Sequence, residues 1–131
     1  DPLCPKEVLT VSLNEASNNP AYVLGRLFSI YENVQQAANR GIKATIKDKY
    51  FNSAAAMPAS IFPVLNNLYQ KHLRKLSPGL RKYFDNQVVE LKSKLGESYP
   101  VRMTLAQQGA FDLGYYHQRN SKSNGEDQNN G

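Results

Sequence analysis

Four places in this chain carry a helix-start signal directly ahead of an apolar run of helical period, and that spacing leaves little choice of fold. Asn19 precedes Pro20, a capping side chain followed by proline at the first helical position. From there Val23, Leu27, Ile30, Val34 and Ala37 recur every three or four residues. Tyr22, Leu24, Phe28 and Tyr31 widen the stripe, so this helix should be covered on more than one side. It should stop between Asn39 and Gly41, where Gly41 supplies a left-handed cap. Pro58 opens a second run through Ile61, Leu65, Leu68, His72 and Leu76, flanked by Phe62, Tyr69 and Leu73. Ser77-Pro78 repeats the cap-and-proline signal ahead of Leu80, Phe84, Val88, Leu91 and Leu95, and Gly96 ends that run. Thr104 with Gln107 forms a capping box for a last helix, whose apolar face reads Leu105, Gly109, Leu113 and Tyr116.

Between these runs the pattern is weaker. In Ile42 to Ala56, the residues Ile46, Tyr50 and Phe51 fit a short helix with Lys43, Lys47 and Lys49 facing out; Ser53 and three alanines equally fit a packed loop. Leu9, Val11 and Leu13 alternate with Thr10 and Ser12, a period of two that suits an extended segment. Asn120 to Gly131 has almost no apolar content and reads as a tail without a core to join. A length of 131 residues allows one domain with a modest core. The expected fold is all-α: an extended N-terminal segment over residues 1–18, a compact antiparallel bundle of four to five helices over 19–120, and a flexible tail over 121–131.

Charge is distributed unevenly along this frame. The stretch Arg40 to Lys82 holds nine cations and one acid, Asp48, a charge of +8 against +5 for the whole chain, which leaves −3 elsewhere. A one-signed surface on an otherwise balanced protein points to a polyanion. The candidate contacts are Lys43, Lys47 and Lys49, and the group Lys71, Arg74, Lys75, Arg81 and Lys82 around one helix–helix turn. Lys71, Arg74 and Lys75 share a helical face by their spacing. Asn66, Asn67 and Gln70 lie beside them in sequence as possible phosphate or sugar partners, and Tyr50, Tyr69 and Tyr83 are the tyrosines close enough to stack on unpaired bases.

Catalytic and metal chemistry find little support. Cys4 is the lone cysteine, so no intramolecular disulfide forms. His72 and His117 are the only histidines, and no CxxC, HExxH or paired-carboxylate pattern accompanies them. The expectation is a protein that is not an enzyme and uses neither metal nor cofactor. No apolar run approaches the roughly 20 residues of a membrane span, and Asp1, Pro2 and Pro5 are unlike a secretory signal, so a bacterial-type cytoplasm and a nucleus both fit.

Three passages, Asn19 to Phe28, Gly41 to Phe51 with the Ser53 to Phe62 run, and Gly114 to Arg119, together resemble the C-terminal part of the large subunit of the type I-C CRISPR Cascade complex. In that family this part is also made separately as the small subunit. The resemblance implies a helical bundle in the belly of an RNA-guided surveillance complex, in contact with the backbone and large subunits and with other copies of itself. It further implies that single-stranded DNA and the guide RNA–DNA duplex are its nucleic-acid partners, with cleavage left to a recruited nuclease. Within the matching passages Gly25 should permit a close helix contact. Arg26 either makes a buried pair or reaches the nucleic acid, and His117, Gln118 and Arg119 either cap their helix or meet a neighbouring subunit. A purely structural assembly subunit is the alternative to nucleic-acid binding.

Overall fold

Each cap signal sits where a helix begins. The computed structural model describes residues 14–96 and 98–130, those beyond Ser121 as backbone alone. Helix α1 spans Pro20–Ala38, α2 Ile46–Ala56, α3 Pro58–Leu73, α4 Pro78–Leu95 and α5 Leu105–Asn130. Asn19 Oδ1 accepts the Ala21 amide at 3.0 Å, Ser77 Oγ the Leu80 amide at 3.4 Å, and Thr104 and Gln107 exchange bonds of 2.7 and 3.1 Å. These side chains satisfy backbone donors that the first helical turn leaves without partners. The fold is all-α, with five helices and no strand among the described residues. The extended segment expected over 1–18 lies outside the described residues up to Leu13. The backbone of α5 runs as helix to Asn130.

The uncertain stretch Ile42 to Ala56 resolves into α2. Its start is a second capping box: Thr45 Oγ1 accepts the Lys47 amide at 3.2 Å, and Asp48 Oδ2 accepts the Thr45 amide at 2.8 Å. Aspartate does here what glutamate or glutamine does more often.

Helix α1 is the centre of the bundle. Every residue from Ala21 to Val34 is buried, as expected for a helix that is apolar nearly all round. It packs most extensively on α5, then on α4 and α3. Phe28, Phe51, Phe111 and Tyr115 join α1, α2 and α5 in edge-to-face contacts at 5.0 to 5.9 Å between centroids. Such geometry sets the positive edge of one ring on the negative face of the next. Tyr31 stacks on Tyr69 at 4.7 Å and joins α1 to α3. Two backbone bonds, Ala59 N–H to Pro100 O and Met103 N–H to Ala56 O, both 2.9 Å, anchor the connection ahead of α5 to the α2–α3 corner.

One expected face is corrected. The stripe Leu105, Gly109, Leu113 and Tyr116 of α5 is the outer one: Leu105 is 84% exposed, Leu113 43% and Tyr116 41%. The buried face is Phe111, Gly114, Tyr115 and His117. Gly114 lets α5 approach α1 by backbone contact, so the inner face carries fewer apolar side chains than the outer one.

Candidate nucleic-acid interface

The turn between α3 and α4 presents Lys71, Arg74, Lys75, Arg81 and Lys82, all exposed. Lys75 Nζ donates to Asn39 Oδ1 at 3.2 Å, and Asn39 Nδ2 donates to the Gln35 carbonyl at 3.2 Å. These bonds tie the turn to the end of α1, where exposed Arg40 adds a sixth cation. Asp85, the next acid along α4, accepts the Tyr69 hydroxyl at 3.0 Å. His72 lies half-buried beside this group; burial, then the charges of Lys75 and Lys71, hold its pKa below the usual value.

The α2 lysines are placed differently. Lys47 is half-buried, with Nζ 5.1 Å from the Phe51 ring centroid and 6.0 Å from those of Tyr115 and Tyr116. It caps the aromatic cluster by cation–π attraction. Lys49 is exposed, with Nζ 5.3 Å from the Tyr50 centroid, and Lys43 is exposed in the loop before α2. Of the polar neighbours read from sequence, Asn66 is used internally: Tyr31 donates to its Oδ1, and its Nδ2 donates to Tyr99 Oη at 3.2 Å. Tyr69 is buried, so only half-buried Tyr50 and Tyr83, 56% exposed, present ring surface to solvent.

A groove of about 890 Å³ runs along the seam of α1 and α4. These helices are antiparallel. Lys94, in the last turn of α4, donates to the Glu15 carbonyl at 2.9 Å just ahead of α1, while Leu80 in the first turn of α4 shares the groove with Ala37 and Arg40. Arg26 forms part of its lining and is only 7% exposed. Its Nε donates to Gln118 Oε1 at 2.9 Å, whereas its buried Nη1 has no partner. Burial disfavours the charged guanidinium and lowers its pKa, against the raising effect of Glu15, Tyr22 and Glu90. Neighbouring His117 is buried, with Nδ1 2.9 Å from Tyr22 Oη and Nε2 unpartnered; Arg119 is exposed. The Arg26–Gln118 bond joins residues 92 apart in sequence, which no local spacing signals. Arg40 was within the basic stretch but not among the candidate contacts; only the Asn39–Lys75 bond places it with the turn.

A family model described as "CRISPR-associated protein (Cas_Csd1)" matches residues 2–122. The chain belongs to the Cas_Csd1 family. No curated protein matches it. In this Cas_Csd1 chain, Asn19 to Phe28 is the first half of α1 and Gly114 to Arg119 is the part of α5 that meets it. Two of the three passages that resemble Cascade sequences therefore build the α1–α5 crossing rather than the basic turn. Among the described residues no three His, Cys, Asp or Glu side chains converge as a metal site, and no helix is long and apolar enough to cross a membrane.

Proposed function

We propose that this Cas_Csd1-family chain is a non-catalytic subunit of an RNA-guided surveillance complex, acting in the cytoplasm as the small subunit of a type I-C Cascade. It binds nucleic acid without sequence preference and stabilises the guide–target duplex and the displaced strand. The observation that carries this reading is the exposed group Lys71, Arg74, Lys75, Arg81 and Lys82, with Arg40 drawn to it by the Asn39–Lys75 bond. Base pairing with a guide reads sequence in such complexes, so the protein surface needs only phosphate contacts. Five contacts to a single strand give a slope of about −3.5 for log affinity against log salt. The test is binding of short single strands at rising salt, with wild type and with Lys71, Arg74 and Lys75 all changed to Glu. A steep salt response that the triple variant loses supports the reading; a flat response, or unchanged binding by the variant, overturns it.

A second reading, assembly through protein contacts, is favoured by the outer stripe of α5. Leu105, Leu113 and Tyr116 expose apolar surface side by side on one helix face, where a protein partner could cover it. Leu105→Asp with Leu113→Asp should then block incorporation into the complex while single-strand binding by the free chain persists.

A further inference from the structure

Arg26 Nη1 is one of three buried side-chain polar atoms without a hydrogen-bond partner among the described residues. A buried donor without an acceptor is rare in folded proteins and destabilises its host, yet Nη1 has none although Nε is well bonded to Gln118. The groove it lines also carries the amides of Asn33, Gln87 and Gln118, groups that both donate and accept. Its charges balance, Arg26 and Arg40 against Glu15 and Glu90. A phosphate deep in the groove would meet those carboxylates, whereas a neutral ring with acceptor atoms would not. At the other end the charge is different. Arg40 lines the groove there, and Leu80 and Tyr83, both exposed, flank Arg81 and Lys82 in the chain. A strand whose phosphates lie on Arg40, Lys75 and Arg81 therefore runs past the groove mouth. The volume, about 890 Å³, is in the range that encloses whole small molecules.

We propose that this groove receives one unstacked nucleobase of the bound strand, with the Arg26 guanidinium donating to an acceptor on the base edge and Tyr83 stacking on the base at the rim. The inference rests on the nucleic-acid reading above and adds a base-binding site to it. A stacked base contributes roughly five- to a hundredfold in affinity and does so for any base, because every base offers a π face.

The experiment uses the full chain and two labelled strands of equal length and phosphate number, one of thymidine and one of abasic sites. Wild type should bind the thymidine strand at least fivefold more tightly. Tyr83→Ala and Arg26→Met should each bring that ratio towards one and leave the salt slope unchanged. Tyr83 is exposed, so its substitution keeps the test valid even if Arg26→Met fails to fold. Equal binding of both strands by wild type, with a steep salt response, overturns the base site and leaves the basic surface standing. Failure of both strands to bind overturns both. A wild-type ratio that neither substitution changes also overturns the base site, and loss of complex assembly in those variants would then assign the groove to a protein partner.

Discussion

Gly25 of α1 and Gly114 of α5 each lie against the backbone of the other helix. A Cβ at Gly25 would overlap the Phe111 carbonyl oxygen and stand 2.8 Å from the Tyr115 amide nitrogen. One at Gly114 would overlap the Tyr22 carbonyl oxygen and stand 2.9 Å from its carbon. Both obstacles are backbone, so no side chain can rotate away.

The two substitutions should therefore act through one relaxation. Gly25→Ala or Gly114→Ala forces α1 and α5 apart and destabilises the fold by about 3 kcal/mol, at the upper end for overpacking. The double variant should lose less than the sum, because the first alanine already opens the crossing that the second needs. Gly109, with open space around its Cβ position on the outer face of the same helix, is the control: Gly109→Ala should stabilise by about 0.5–1 kcal/mol. Urea unfolding of the four variants checks all three statements, and additive losses at 25 and 114 would contradict the shared crossing.

The lysines of α2 and the turn should separate in their salt dependence. Arg74→Gln removes an exposed phosphate contact and should lower the salt slope of single-strand binding by about 0.7. Lys47→Gln should leave the slope unchanged, since Nζ is committed to the rings of Phe51, Tyr115 and Tyr116. It should instead destabilise the fold by about 0.5–1 kcal/mol through lost cation–π attraction. The pair of measurements, binding against salt and thermal unfolding, distinguishes the two roles.

Burial of His117 predicts a pH dependence with a definite sign. Its imidazole has Tyr22 Oη at Nδ1 and nothing at Nε2, and burial lowers its pKa below the usual 6.5. The unfolded chain thus binds a proton at a higher pH than the folded one. Stability is fully present above about pH 6.5 and is lost as pH falls through the lowered folded value. His72, also lowered, contributes in the same direction. Unfolding midpoints between pH 7.5 and 5 should fall, and His117→Gln should flatten but not abolish the trend.

Local signals carried the frame of this fold further than its faces. Caps at Asn19, Ser77 and Thr104 and the breadth of the Pro20–Ala38 apolar surface were enough to place three helix starts and the central helix. The inner face of α5 escaped because Gly114 contributes backbone proximity instead of side-chain area, so hydropathy ranked Leu105 and Leu113 above it. At the candidate interface, the turn group was legible because i, i+3 and i+4 spacing is a local rule. Lys47 was not separable from Lys49 by charge alone; the rings it meets on α5 are 68 and 69 residues away in the chain. Arg26 and Gln118 likewise meet only once α1 and α5 have crossed.

That late meeting makes Arg26 a test of whether a buried charge serves stability or binding. If the fold alone required it, replacement by an apolar side chain of similar length would leave a cavity or a lost pair and destabilise strongly. The structure gives the opposite expectation. Nη1 makes no bond, so removing it relieves a desolvation penalty of about 1–3 kcal/mol or more for a charged group. The one bond lost, Nε to Gln118, releases an amide that is only half-buried and can turn to water. Buried ions replaced by well-packed apolar groups are often neutral or stabilising. Arg26→Met should therefore keep the unfolding free energy within about 1 kcal/mol of wild type or raise it, while weakening the preference for strands that carry bases. A loss of several kcal/mol in chemical denaturation would assign Arg26 to the scaffold instead.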